Sequence, residues 1–248
     1  MSSLRMDTID ELKKTLDEYF DGCAWKDEDI PISKAAGRYL AEDISGTEDL
    51  PGFDLTAAQV CYKTGHRLTV RDIGILASMG KFMVSVWAKP YVTVLTTGEE
   101  WVGVLDKPGP DQMRDANSFI MSALLNESGV QIVGMNLIRG KKAAVEEAVR
   151  SAVDHSDFVV LTMGTRMGAE AEMSEIIRGM GKPGIIEHAP VLTEGGGVIL
   201  GAIKDEFCHC AGRMPAFIAC LPGKPAEALE AYQVVVDYFI RKYYFRNL

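Results

Sequence analysis

Apolar and polar residues fall along the chain in blocks whose period changes several times, and the most informative block runs from Tyr91 to Asn126. Val92, Val94 and Leu95 form a short, uncharged, β-branched run, the pattern of a strand buried on both faces. It stops at Thr97-Gly98, where glycine lets the backbone turn or come close to a ligand, and two acids, Glu99 and Glu100, follow. A loop with Pro108, Gly109 and Pro110 leads to Asp115-Ala116-Asn117. Ile120, Met121, Leu124 and Leu125 then recur at helical spacing, with Asn117 as the expected N-cap. The block predicts strand, polar loop and helix. In open α/β sheets ligands bind at the carboxyl ends of the strands, which puts Glu99/Glu100 and Asp115 around one crevice.

The other blocks extend this pattern in both directions. Ile9, Leu12, Leu16 and Phe20 predict an amphipathic helix over 7–20, with Thr8 and Glu11 as a capping box. A short helix over 35–39, a strand over 55–62, a helix over 69–79 ending at Gly80, and a hinge at Lys89-Pro90 follow. Beyond residue 91, strands over 131–137 and 158–162 alternate with helices over 141–155 and about 174–180, the order of right-handed βαβ crossovers. Apolar runs over 185–192 and 198–203 bracket Thr193-Glu194-Gly195-Gly196-Gly197, read as a tight turn. A last strand over 216–221 ends in Leu221-Pro222-Gly223-Lys224-Pro225, and Pro225 suits the first position of a helix. Ala228, Leu229, Tyr232, Val236, Phe239 and Ile240 dock that helix on the sheet in this reading. The fold class is α/β: a mostly parallel three-layer sheet with a small N-terminal α+β lobe. The expected partition is a lobe over 1–66, a connecting helix and strand over 67–90, and the α/β domain over 91–248.

Composition narrows the functional classes. A chain of 248 residues with 47% hydrophobic content buries a substantial core. Its net charge of −9, with Lys and Arg dispersed, argues against a nucleic-acid surface. No apolar run approaches the roughly 20 residues of a membrane span, and the first residues carry no signal-peptide core, so the expected location is cytoplasmic. Five scattered cysteines, an odd number, do not make a disulfide framework. Cys208-His209-Cys210 would alternate faces on a strand and has no companion pair, which argues against zinc. The four histidines sit near no recognisable nucleophile.

Several short motifs in order carry a family resemblance. Thr97-Gly98-Glu99-Glu100, then Asp115-Ala116-Asn117 heading a helix, then a glycine loop after the strand ending at Thr162, then Leu221-Pro222-Gly223-Lys224-Pro225, together resemble the molybdopterin-binding domain of the molybdopterin molybdenumtransferase family, to which the gephyrin E domain is related. The segments 33–54 and 73–80 resemble the family's opening domain and the helix before its binding domain, so the likeness covers nearly the whole chain. The resemblance implies molybdenum-cofactor biosynthesis: binding of molybdopterin or its adenylylated form, insertion of molybdate, release of AMP, and help from Mg²⁺. It also implies a homodimer. Carried over by position, Glu100 and Asp115 are the catalytic and Mg²⁺-holding carboxylates. Thr97, Gly98, Asn117, Gly164, Gly168, Gly195, Pro222, Gly223 and Pro225 are the cofactor-binding set.

The departures are chemical. Leu55 and Gln59 stand where the family has Asn and Asp, Met163 and Ala171 where its glycine loop has Gly and Asp, and Thr193 and Gly196 where it has two lysines. Lys63-Thr64-Gly65 runs almost directly into the next helix, and the chain stops at Leu248, so a shortened member is expected. Arg166 and Lys224 are the cations available to replace the lysines. Structural roles compete at each position: a solvated turn for Glu99 and Glu100, a helix cap for Asp115 and Asn117, a hairpin turn for Gly195–Gly197, packing for Met163, Met167 and Met173. Two classes of function stay open, a transferase and a non-catalytic carrier or scaffold module, with recruitment for another small anion behind them.

Overall fold

A computed structural model describes residues 6–23, 25–46, 61–190, 196–203 and 214–246. The elements are, in chain order, α1 (Met6–Phe20), β1 (Asp27–Pro31), β2 (Ile44–Ser45), β3 (Cys61–Tyr62), α2 (Val70–Ser78), β4 (Met83–Trp87), β5 (Tyr91–Thr97), β6 (Trp101–Val102) and β7 (Met113–Arg114). There follow α3 (Asn117–Glu127), β8 (Gln131–Ile138), α4 (Lys142–His155), β9 (Phe158–Thr162), α5 (Ala169–Gly179), β10 (Pro183–Ala189), β11 (Val198–Ile203), β12 (Ala216–Leu221), α6 (Pro225–Ala231) and α7 (Asp237–Phe239). π-helical turns at Tyr232–Val236 and Ile240–Tyr244 flank α7.

The chain forms two compact units: Met1–Cys23 with Pro90–Tyr238, and Ala24–Lys89 with Phe239–Leu248. This divides it differently from the partition at residues 66 and 90. Helix α1 groups with the C-terminal α/β unit, and residues 67–89 with the smaller one. One boundary does fall at Lys89/Pro90, where the hinge was expected.

In the larger unit six strands run in the order β10-β11-β12-β9-β5-β8. The β12-β9, β9-β5 and β5-β8 pairs are parallel, and the two pairs at the β10 edge are antiparallel. Side-chain alternation explains the layers. Leu95, Val159, Leu161, Ile218 and Cys220 point to one face and pack with Val145 and Val149 of α4 and with Ile176 and Ile177 of α5. The opposite face is covered by α1 and α3: Phe20 meets Phe217 edge-on at 5.7 Å, and Thr96 bonds Ser118 of α3. Burial on both faces is why β9 is apolar almost throughout. Cys220 is fully buried here, and that burial pushes its thiol up, so it stays protonated.

The smaller unit has its own core of Ile30, Leu40, Ile44, Leu68, Leu76, Val84 and Val86. β1 pairs antiparallel with β4. Tyr39 stacks on Phe245 at 4.3 Å, and Trp25 donates to the Ala88 carbonyl at 2.7 Å. Thr69 and Asp72 form a capping box on α2, and Asp72 accepts further from His66 at 3.0 Å. Burial alone would raise the Asp72 pKa; hydrogen bonds from the Thr69 N–H, His66, the Thr69 hydroxyl and Tyr62 outweigh it and hold the carboxyl below its ordinary 3.8. A depressed folded-state pKa contributes stability above the unfolded value, and that contribution is lost as pH falls through the folded value. Asp72→Ala is therefore expected to cost about 1 kcal/mol at neutral pH, with the gap to the parent closing at acid pH in denaturant titrations.

Several local expectations are corrected. Residues 35–39 are not helical: a 3₁₀ turn covers Ile32–Lys34, and Tyr39 bridges to Arg67. Thr8 lies inside α1 rather than at its cap. Helix α5 begins at Ala169, not near Ser174, because Gly168 in the left-handed region (φ 86°) starts it and Ala-Glu-Ala-Glu propagates it. Met167 is 99% exposed, so it is not a packing residue, whereas Met163 and Met173 are buried. Phe239 and Ile240 group with the smaller unit. The expected strand over 55–62 is described only at Cys61–Tyr62, and the Cys208-His209-Cys210 stretch lies outside the described residues.

Candidate functional site

The parallel strands β5, β9 and β12 all end at one edge of the sheet, and the loops that leave them touch. At the end of β5, Gly98 takes φ 142°, a conformation that L side chains rarely adopt. A Cβ there would also lie 2.6 Å from the Glu100 Oε2 atom and 2.9 Å from Trp101. The chain then forms a small two-strand ladder. Met113 N–H donates to the Glu100 carbonyl at 2.8 Å, and Asp115 N–H to the Val102 carbonyl at 2.9 Å. Glu100 immediately precedes β6 and Asp115 immediately follows β7, so the two acids flank this parallel ladder at its opposite ends.

Each carboxylate has a bonding partner. Glu100 Oε1 accepts from both the Thr165 N–H and the Thr165 hydroxyl, the latter at 2.9 Å, and so braces the β5 loop against the loop after β9. Asp115, 4% exposed, accepts from the Ser118 N–H at 3.0 Å and from the Ser118 hydroxyl. Asp115 thus does the capping that was expected of Asn117. Asn117 is the first residue of α3, fully buried, and its amide donates to the Gly223 carbonyl at 2.7 Å. Its Oδ1 has no hydrogen-bond partner. Ser118, Thr96 and Thr162 continue the buried polar row at 2.9 and 3.0 Å, and Thr97 donates to the Thr162 carbonyl.

The turn after β12 closes the arrangement. A Cβ on Gly223 would collide with the Met163 carbonyl, with Gly164 at 2.9 Å and with Thr165 at 3.0 Å. Gly164 in turn sits 3.3–3.4 Å, measured from its hypothetical Cβ, from Glu100, Gly98 and the Thr97 carbonyl. Gly196 passes against Pro222, and Gly197 against Glu170, which accepts from the Gly197 N–H at 3.3 Å and pairs with His188 at 2.5 Å. Of the three glycines read as a tight turn, Gly196 and Gly197 are close-approach positions. Gly195 lies outside the described residues.

A cavity of about 280 Å³ opens between the β9 and β12 loops. Gly164, Gly168, Pro222 and Gly223 line it, together with Arg166, Lys224, Glu170 and Glu227, none of the last four in the sequence-derived set. Thr97, Gly98, Glu100, Asp115, Asn117 and Pro225 are not among its lining residues; of these, Glu100 bonds Thr165 and Asn117 bonds the Gly223 carbonyl, both of which line it. The signal that pointed to Arg166 and Lys224 was their charge on a ligand-facing loop; Glu170 and Glu227 carried no such signal, because acids in a first helical turn are ordinary dipole partners.

As arranged, the carboxylates of Glu100 and Asp115 serve hydrogen bonds within the protein. Both Asp115 oxygens are engaged by Ser118, and Glu100 Oε1 by Thr165. Among the described residues no three acidic, His or Cys groups gather as a metal site would require.

Residues 93–242 match the family model described as "Probable molybdopterin binding domain". The chain belongs to this family. Molybdopterin molybdenumtransferase 1 of Mycobacterium tuberculosis is 24% identical over 77% of this chain and 42% of its own length. The molybdopterin molybdenumtransferase of Haemophilus influenzae is 27% identical over 77% and 44%. The chain thus spans less than half the length of these curated relatives. A molybdopterin biosynthesis protein of Pyrococcus horikoshii shares the fold, with a TM-score of 0.75 at 20% identity over 96% of this chain and 80% of that one. For this molybdopterin-binding-domain family member, as expected, the sheet is mostly parallel with helices on both faces. No helix among the described residues is long and apolar enough to cross a membrane.

Proposed function

We propose that this chain binds molybdopterin, or its adenylylated form, at the carboxyl ends of β5, β9 and β12 and acts in molybdenum-cofactor biosynthesis. The observation that carries the reading is the convergence of Gly98, Gly164 and Gly223. Three loops approach one another at glycine positions and leave a polar cavity where open α/β sheets place ligands. Backbone groups of such loops suit a phosphate. At about 280 Å³ the cavity is below the range of a site that encloses a whole drug-sized ligand. It therefore takes the phosphate-bearing end, with the heterocycle lying outside it. Calorimetry with adenylylated molybdopterin is expected to show one site per chain. Absence of heat at millimolar ligand would remove this reading.

Whether the chain is a transferase or a carrier module turns on the acids. The bonds that engage Asp115 and Glu100, and the Ala171 that stands at a family acid position, favour a module that binds without turnover. The reading needs no resident Mg²⁺. The discriminating measurement is molybdate-dependent AMP release: steady release establishes the transferase, and tight binding with no release establishes the module. A cytoplasmic, homodimeric protein fits this role, and sedimentation velocity tests the dimer.

A further inference from the structure

We propose that Arg166 and Lys224 form a two-cation oxyanion clamp in the cavity, latched in the ligand-free protein by Glu172 and Glu227, which a ligand's anionic head displaces. This rests on the cavity assigned above and names the groups that select its ligand. The two cations come from facing loops, after β9 and after β12, and both line the same cavity. Neither is free: Arg166 pairs with Glu172, and Lys224 Nζ lies 2.9 Å from Glu227. The two pairs differ from ordinary surface bridges in their asymmetry. The Lys224 side chain is 67% exposed and the Arg166 side chain 53%, whereas Glu227 is only 12% and Glu172 25% exposed. The cations can therefore swing on their stems while the acids stay fixed in the wall. A guanidinium and an ammonium on opposite loops can take separate oxygens of one phosphate, the guanidinium as a planar fork and the ammonium as a point charge.

The latch sets the selectivity. Arg166 and Lys224 are each offset by the acid that latches them, Glu172 and Glu227, so these four groups carry no net charge in the empty site. A monoanion gains little by breaking both ion pairs. A compact dianion or polyanion engages both cations at once and recovers two charge-assisted bonds, while the partly exposed pairs it breaks are each worth little. When Lys224 leaves, Glu227 remains near-buried without its partner, a cost that opposes binding. Removing that acid's charge should then tighten binding, the opposite of what loss of a ligand-contacting group would do.

The test is titration of the full chain with inorganic pyrophosphate, followed by amide chemical shifts, in the parent and in Lys224→Gln, Arg166→Gln and Glu227→Gln. The clamp predicts that Lys224→Gln and Arg166→Gln each weaken pyrophosphate about tenfold. Glu227→Gln should strengthen it by about two- to fivefold, with shifts concentrated at Gly164–Gly168 and Gly223–Lys224. Thermal melts check that each variant folds. If Glu227→Gln weakens binding, or if the Gln variants at 166 and 224 bind as the parent does, the clamp is wrong. Pyrophosphate binding with this pattern but no heat from adenylylated molybdopterin would keep the clamp and overturn the pterin reading. The reverse pattern would keep the pterin reading and overturn the clamp.

Discussion

Gly223→Ala is expected to lower the melting temperature by about 5–10 °C and to weaken binding of the phosphorylated ligand at least about tenfold. The added methyl has no room: its nearest neighbours are the Met163 carbonyl, the Gly164 carbonyl carbon and Thr165 Cγ2. Two of these are backbone, so relief requires the β9 and β12 loops to separate rather than a side chain to rotate. Overpacking against fixed atoms costs about 1–3 kcal/mol. Two further bonds are at stake, since Asn117 holds the Gly223 carbonyl and Met163 N–H donates to the Leu221 carbonyl. Gly168→Ala is the control. That position lines the same cavity but meets nothing within 4 Å of a Cβ, and its cost is the left-handed φ of 86° alone, about 1–2 kcal/mol. Denaturation of both variants, with calorimetry on each, separates loss of space from loss of backbone freedom. Equal binding by the Gly223→Ala protein and the parent would contradict the placement of the site between these loops.

The sheet was legible in the sequence because its strands are local, uncharged and bounded by glycine or proline. Phe158–Thr162 and Ala216–Leu221 appear with the bounds that their apolar runs predicted. Helix α4, though charged, was legible through Val145 and Val149 at helical spacing. Features that depend on distant partners were not. Asn117 has the composition of a cap, yet its amide is recruited by a carbonyl 106 positions away in the chain, and Asp115 caps α3 in its place. The helix start at Ala169 was masked by two glycines read as one long loop, although only Gly168 adopts a positive φ. The grouping of α1 with the α/β unit rests on contacts such as Phe20 with Phe217, which periodicity within the helix cannot announce. Of the site, the glycines and the two acids could be named from motif order. Of the ion pairs that set its charge, Lys224 with Glu227 is an ordinary i,i+3 spacing until a cavity is seen beside it, and Arg166 with Glu172, six apart with Arg166 outside α5, follows no helical spacing at all.

Asp115→Asn should destabilise the ligand-free protein by about 1–3 kcal/mol, although it changes one atom and keeps the shape. The reason is the direction of a buried row of hydrogen bonds. A carboxylate only accepts, so the Ser118 hydroxyl must donate to Asp115. Ser118 then accepts from Thr96 at 2.9 Å, and Thr96 accepts from Thr162 at 3.0 Å. Ser118 and Thr96 each have one donor and one acceptor role filled, Thr162 donates at the end of the row, and all three residues are buried to 2% exposure or less. Asparagine keeps one oxygen for the Ser118 N–H but turns an NH₂ toward the Ser118 hydroxyl. That reverses the row and leaves the Thr162 proton aimed at nothing inside the sheet. An unsatisfied buried donor costs about as much as the bond itself was worth or more. Ser118→Ala removes the junction instead, so Asp115→Asn combined with Ser118→Ala should cost less than the sum of the two single changes. A double-mutant cycle by urea denaturation reads the coupling. Additive effects would mean that Asp115 acts on α3 only through the Ser118 N–H, as a plain helix cap.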